Sequence, residues 1–70
     1  MLINRELIIE LLKEKQWSQN ELGNRVGVAR GTISRVLNRK RGAGRKVIGG
    51  LLRTFPSEGI NTLFNDVNKN

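Results

Sequence analysis

The absence of any covalent or metal cross-link is the feature that most constrains how this chain can fold. Its 70 residues include no cysteine and no histidine, which excludes disulfide bridges and thiolate or imidazole metal sites. A chain of this length buries only about 60% of the surface that it exposes when unfolded, which allows one modest core. We therefore expect a single domain over residues 1–70 that is stabilised by packing alone.

Apolar residues recur at helical spacing along the chain, and no segment has a convincing strand pattern. Asn4 is a good N-cap for a first helix that ends near residue 15, and a later apolar stripe predicts a fourth helix that ends before Pro56. Ser57 can cap a C-terminal helix over about 57–67. The apolar stripe of that helix consists of Ile60, Leu63, Phe64 and Val67. The pattern predicts an all-α fold, a compact bundle of about five short helices.

A short turn joins two of these helices in the middle of the chain. The segment Ser18-Gln19-Asn20-Glu21 has the pattern of a capping box, which predicts a helix over about Gln19 to Val26. Gly27 can end this helix because glycine adopts the left-handed conformation without strain. After a tight turn, a further helix is predicted from Arg30 to about Leu37. A helix-turn-helix is thus expected over about residues 19–38, and the second helix of this motif enters the major groove of DNA.

Trp17 lies just before the predicted capping box, and Leu22 lies at the fourth helical position after it. This spacing is typical of a hydrophobic staple, which fixes how the chain enters the helix. We interpret Trp17 as a core residue and not as a platform for stacked bases, since stacking modules usually present several aromatic residues.

The charge distribution indicates a polyanionic partner. The formal net charge is +7, and no acidic residue occurs over residues 22–57. Nine of the thirteen basic residues fall in this segment: Arg25, Arg30, Arg35, Arg39, Lys40, Arg41, Arg45, Lys46 and Arg53. The first helix, in contrast, mixes both signs as an ordinary solvated face does. A long segment with charge of one sign favours nucleic acid over a merely solvated surface.

The central segment resembles a known family. Its sequence from Gln19 to Leu37, QNELGNRVGVARGTISRVL, looks like the Cro and repressor class of bacterial and phage regulators, and the resemblance extends less sharply over about residues 4–55. The positions that match the family pattern are Gln19, Leu22, Gly23, Val26, Gly27, Val28, Ile33 and Val36. The apolar members are expected to lock the two helices at a fixed angle, and Gly23 to let them approach.

The resemblance implies which residues contact DNA. The residues that read bases are Arg30, Gly31, Ser34, Arg35 and Asn38. An arginine can donate twice to the two acceptors of guanine in the major groove, whereas Gly31 offers no side chain and permits close approach. Gln19 resembles the family's phosphate-binding glutamine and is aided by the positive end of the helix dipole.

Three basic residues follow the second helix of the motif. Arg39, Lys40 and Arg41 lie where the chain leaves the groove and can bind the DNA backbone. The alternative for these three residues is a solvated loop.

Two positions depart from the family pattern. Gly23 occupies a position where alanine is usual, and glycine inside a helix costs about 1 kcal/mol relative to alanine, so the helix is expected to be soft. Ala29 occupies a position where a capping serine or threonine is usual. The second helix of the motif is therefore expected to fray at its start unless DNA orders it.

These observations predict a transcriptional regulator of the Cro type that binds a double-stranded DNA operator in a phage lysis/lysogeny switch. The alternative is a short modulator of repression that binds the cognate phage repressor through the same basic face. The C-terminal stripe could serve the core or form an isologous homodimer interface.

Other classes of function are not favoured by the sequence. The glutamates lie on helices among lysines, with no histidine, cysteine or glycine-rich site beside them, so we expect no enzyme, small-molecule substrate, cofactor or metal. The apolar start of the chain is too short and too charged for a signal peptide or membrane span. We expect the protein to act in the cytoplasm of a bacterial host, without contact with a membrane.

Overall fold

The structure, a computed structural model, describes residues 2–65 of the chain. Within this part the chain forms five α-helices and one two-stranded sheet. The helices are α1 (Arg5–Lys15), α2 (Gln19–Val26), α3 (Arg30–Leu37), α4 (Arg45–Thr54) and α5 (Ile60–Leu63), and the strands are β1 (Leu2–Ile3) and β2 (Phe64–Asn65). The predicted fold class, a bundle of five short helices that contains a helix-turn-helix, is confirmed.

The helices surround one apolar core. Side chains from four helices are fully buried in it: Ile8 of α1, Leu22 of α2, Leu51 of α4 and Leu63 of α5. From α3 the core receives Ile33, Val36 and Leu37. No buried polar or charged side chain occurs among the described residues. Burial of apolar surface, at about 25 cal/mol per Å², is therefore the main term that stabilises the bundle.

Side-chain caps start the first two helices as the sequence predicts. Asn4 Oδ1 accepts a hydrogen bond of 3.3 Å from the amide of Leu7, and Ser18 Oγ accepts one of 3.0 Å from the amide of Glu21. The return bond of the expected capping box is not formed. The Glu21 carboxylate instead accepts a hydrogen bond of 2.7 Å from Nε of Arg25, its neighbour one turn later.

The predicted boundaries of the C-terminal helix, about residues 57–67, are wrong. The observed helix α5 has only four residues, and Gly59, not Ser57, lies at its N-cap. The backbone becomes extended at Phe64, and Leu63 and Phe64 are both buried in the core.

The short sheet also differs from the all-helical expectation. Strand β2 pairs antiparallel with β1, so that Phe64 lies opposite Ile3. Beside this pair, Asn4 donates its backbone amide to the carbonyl of Leu63 at 2.8 Å and its side-chain amide to the carbonyl of Thr62 at 3.1 Å. These carbonyls would otherwise lack partners at the end of a short helix. Hydrogen bonds thus join the two ends of the described chain, which are far apart in sequence. Sequence periodicity does not predict such long-range contacts. Val67 lies outside the described residues.

Helices α2 and α4 approach each other so closely that a glycine is required at their contact. A Cβ atom placed on Gly50 would lie 2.6 Å from both the carbonyl oxygen and a methyl carbon of Val26. Gly49, the preceding residue, is exposed, and a Cβ atom there would meet nothing within 4 Å. The close approach of α2 and α4 therefore requires glycine at position 50 and not at position 49.

The two glycines are expected to respond to alanine in opposite directions. Gly49→Ala should raise the free energy of unfolding by about 0.5–1 kcal/mol, since alanine is the better helix former and the new methyl group is unhindered. Gly50→Ala should lower it by about 1–3 kcal/mol because the methyl group overlaps the backbone of α2. Thermal unfolding followed by circular dichroism measures both, and a shift of about 4–8 °C corresponds to 1 kcal/mol in a domain of this size. Equal responses would contradict the packing described.

Candidate nucleic-acid interface

The end of α2 and the turn after it determine where α3 begins. Gly27 follows α2 with φ of 94°, a left-handed conformation that other residues rarely adopt. The carbonyl oxygen of Gly23 accepts hydrogen bonds from the amides of both Gly27, at 2.7 Å, and Val28, at 2.9 Å. The predicted role of Gly27 as the end of the helix is thus confirmed.

Gly23 brings the turn directly onto the surface of α2. A Cβ atom placed on this buried residue would lie 2.8 Å from the carbonyl oxygen of Val28 and 3.4 Å from the amide nitrogen of Arg30. An alanine would therefore have to displace the start of α3. The expected softening of α2 came from comparing glycine with alanine at this position. That comparison does not apply here, because the turn occupies the space that the methyl group of alanine would need.

Helix α3 presents the predicted base-reading residues to the outside. Its apolar residues Ile33, Val36 and Leu37 face the core. The opposite side carries Arg30, Gly31, Arg35 and Asn38, which are exposed, and Ser34, which is half-buried. Ala29 makes no side-chain cap, as expected. The structure thus brings the whole predicted set to the outer side of one helix, and its contact with bases stays a prediction.

Two pairs of residues on this face lie next to each other along the helix. Nδ2 of Asn38 donates a hydrogen bond of 3.4 Å to Oγ of Ser34. The guanidinium group of Arg35 lies beside Gly31, where a Cβ atom would be 3.7 Å from Nη1. Both pairs are four residues apart, the spacing at which side chains of one helix meet.

The predicted phosphate-binding residues lie on either side of this face along the chain. Gln19 is the first residue of α2, and Arg39, Lys40 and Arg41 follow α3; all four are exposed. The chain leaves α3 through a tight turn in which the amide of Lys40 donates to the carbonyl of Arg35 at 2.9 Å, and that of Arg39 to the carbonyl of Val36 at 3.0 Å. This is the Schellman arrangement, in which glycine usually occupies the left-handed position.

Arg39 occupies that left-handed position, with φ of 59°. For residues other than glycine this conformation costs about 1–2 kcal/mol. One Nη of its guanidinium lies 4.0 Å from a carboxylate oxygen of Glu6 in α1, and both side chains are largely exposed, at 41% and 79%. Such an exposed pair stabilises a protein by about 1 kcal/mol at most. Arg39 is therefore held in place chiefly by the turn and not by its ion pair.

Two basic residues at the start of α4 were not assigned a role from the sequence. Arg45 and Lys46 are exposed in the first turn of α4, where no acidic residue occurs. Ala43, in the loop before them, is buried and anchors that loop to the core. The only signal for these residues was their position in the acid-free segment, because no spacing rule singled them out.

Other basic residues of the acid-free segment have structural partners. Arg25 pairs with Glu21 and lies 4.1 Å above the ring of Trp17. Arg53 donates to the backbone carbonyls of Arg25 and Val26 at 3.4 and 3.3 Å, which lie at the end of α2. Positive charge at the C-terminal end of a helix is favourable. These two arginines hold the scaffold together.

Trp17 packs as a structural residue. It is half-buried against the core, and its ring centre lies 5.9 Å from that of Phe55. The interpretation of Trp17 as a core residue agrees with this position.

Comparison with known proteins identifies the family. A helix-turn-helix family profile matches residues 8–58 of the chain. Over 53 residues, the chain is 38% identical to the protein named "Uncharacterized HTH-type transcriptional regulator YvzC" of Bacillus subtilis (strain 168), and the match covers 76% of this chain and 69% of that protein. No solved structure matches the chain significantly.

The chain belongs to the helix-turn-helix family, which places it in the class of DNA-binding transcriptional regulators. The resemblance to this family that the central segment indicated is thereby confirmed. Among the described residues, no helix is long and apolar enough to cross a membrane, and no three acidic side chains converge as metal ligands.

Two substitutions of Arg39 should separate the effect of backbone strain on stability from the effect of removing the charge. Arg39→Gly is expected to raise the free energy of unfolding by about 0.5–1 kcal/mol because glycine adopts the left-handed conformation without strain. Arg39→Ala removes the same charge and keeps the strain, so it should not stabilise the fold. Urea unfolding of the three proteins at equal salt concentration measures the difference. A glycine variant no more stable than the alanine variant would contradict the strain assigned to this position.

Proposed function

We propose that this protein is a Cro-like repressor that binds a double-stranded DNA operator through α3 and acts in a phage lysis/lysogeny switch. The observation that carries the proposal is the outer face of α3, where Arg30 and Arg35 are exposed and neither guanidinium has a carboxylate within 4.0 Å among the described residues. Both are therefore available to an anionic ligand.

The dimensions and charge of this face fit the major groove. An α-helix with its side chains is about 10–12 Å across, and the major groove of B-form DNA is about 12 Å wide. Arg30 and Arg35 would donate to base edges, Ser34 and Asn38 would contact neighbouring bases, and Gly31 would allow close approach. Gln19, Arg39, Lys40 and Arg41 would bind phosphates on either side, and the similarity to YvzC supports a role in transcription.

In this proposal the protein is a binding module that performs no catalysis and needs no cofactor. The DNA that it regulates would place it in the cytoplasm of the bacterial host. A homodimer would read an approximate palindrome with recognition helices about 34–36 Å apart. Of the C-terminal stripe, which the sequence left as either core or interface, Leu63 and Phe64 are buried in the core, and Ile60 is 40% exposed. Among the residues of this stripe that the structure describes, Ile60 is therefore the one available to an interface.

Removal of either base-reading arginine should weaken specific binding. Arg30→Ala and Arg35→Ala are each expected to cost about 1–3 kcal/mol on the best site and to relax the preference at one base pair. A gel-shift series over single-base variants of the intergenic DNA beside the gene measures this effect. Lys13→Ala, which removes an exposed positive charge from α1, is the control. Equal effects on specific and random DNA would show that these arginines do not read bases.

The residues after α3 should contribute binding that is independent of sequence. Lys40→Ala and Arg41→Ala are expected to weaken binding to all DNA alike and to lower the slope of log K against log salt by about 1 for each phosphate that is no longer bound. Titrations at several salt concentrations on specific and random duplexes give the slope, again with Lys13→Ala as the control. A slope that does not change would assign these residues to a solvated loop.

A second candidate function is an anti-repressor that binds the cognate phage repressor through the same face. The uncapped start of α3 favours it, because a helix without an N-cap orders itself less readily on DNA alone. An acidic surface of a partner protein would attract the same arginines.

The second candidate predicts weak operator binding by the purified protein and a stoichiometric complex with the repressor. Reversal of charge in Arg30→Glu or Arg35→Glu should abolish that complex, as measured by calorimetry. Tight operator binding by the protein alone, with no complex on gel filtration, would exclude this candidate in favour of the Cro-like repressor.

A further inference from the structure

Gly31 is not required by the fold, unlike the other glycines at close contacts. Gly23 and Gly50 are buried against backbone atoms, and Gly27 has the left-handed conformation. Gly31, in contrast, is exposed within α3, its φ is not positive, and the atoms that its Cβ would meet within 4 Å belong to the side chain of Arg35. Glycine is unfavourable inside a helix. Arg35 is therefore the side chain that a substitution at Gly31 would affect.

The guanidinium group of Arg35 lies against the part of α3 that Gly31 leaves uncovered. A Cβ atom placed on Gly31 would lie 3.7 Å from Nη1 and 3.8 Å from Nη2, which is ordinary van der Waals contact. Side chains on a helix point back toward its N-terminus, so a residue covers the surface over the preceding turn. Arg35 thus lies over residue 31, and a side chain at residue 31 that extends beyond Cβ would compete for this space.

We propose that Gly31 is a positioning residue that acts through Arg35. By leaving this surface uncovered, it lets the guanidinium rest over the first half of α3, from where Arg35 reads a guanine in the operator. The inference rests on the proposed function, since it requires α3 to lie in the major groove. According to this inference, the preference of the protein at one base pair of the operator depends on Gly31, a residue without a side chain.

In this proposal, the position of the guanidinium over Gly31 prepares a flexible side chain for base reading. An arginine loses much rotamer freedom when it is ordered on a ligand, and a conformation held before binding reduces that cost. The surface beneath Arg35 brings no carboxylate, so the donors of its guanidinium remain available to the N7 and O6 acceptors of guanine.

The test compares base preference in a small set of variants. Gly31→Val adds methyl groups that extend roughly 1.5 Å beyond Cβ, into the space of the guanidinium, whereas Gly31→Ala adds a methyl group that fits beside it. Gly49→Val makes the same change at an exposed helical glycine of α4 with open space around it. Valine is at least as good a helix former as glycine, so these variants should fold, and circular dichroism checks this.

Binding of each variant is measured on the best operator duplex and on its single-base variants. We expect Gly31→Val to lower the preference at the base pair read by Arg35 by about 5- to 150-fold, the full value of one bidentate contact, with an unchanged salt slope. Gly49→Val should retain the preference, and Gly31→Ala should lower it less than Gly31→Val because its single methyl group fits beside the guanidinium. In the Arg35→Ala background, Gly31→Val should cause no further reduction, because the two residues act as a unit.

Each contrary result has a distinct meaning. Retained preference in Gly31→Val would overturn the inference and leave the proposed function intact. An equal reduction in the presence and absence of Arg35 would also overturn it, since Gly31 would then act by clearing space for DNA. If Arg35→Ala itself leaves the preference unchanged, base reading by Arg35 and the inference both fail. If neither the parent protein nor any variant distinguishes the operator from a random duplex, the proposed function fails.

Discussion

Close backbone packing on α2 is the constraint on which the rest of the structure depends. The turn before α3 lies directly on Gly23, and α4 lies directly on Val26 through Gly50. Neither contact leaves space for a methyl group. Since α2 also supplies Leu22 to the centre of the core, it fixes the position of α3 on one side and α4 on the other. The outer face of α3 is thus presented by a rigid support, which a site built from long side chains needs.

Four arginines of the acid-free segment form two groups that composition alone does not separate. Arg25 and Arg53 bind a carboxylate, an aromatic ring and backbone carbonyls, and they stabilise the scaffold. Arg30 and Arg35 have no such partner among the described residues and stand on the surface of α3. Positive charge that is satisfied within the protein contributes less to attracting an anion than charge that faces solvent. The acid-free segment therefore overstates the charge that is available to DNA.

The sequence was most informative where local rules decide the structure. Helical periodicity, the cap at Ser18 and the glycine at position 27 placed α2 and α3 at their observed boundaries, because these signals act over a few residues. The errors lie where distant segments meet. The end of α5 is set by the pairing of Phe64 with Ile3, and the need for glycine at position 23 is set by the carbonyl of Val28. The candidate site was predicted as a set of residues on one helix face, whereas the position of the Arg35 guanidinium over Gly31 depends on a side-chain conformation that sequence patterns do not predict.

The pairing of β1 with β2 has a consequence for the order in which the molecule folds. Helix α2 contacts α3 and α4, which are close to it in sequence. Leu2 pairs with Asn65, and nearly the whole chain lies between these two residues. Contacts between distant residues form late, since the chain must first lose the freedom of the long loop between them. The helix-turn-helix can thus assemble before the ends meet. Because Ile3 and Phe64 belong to the same core as the helices, closure of the sheet is then the step that completes this core.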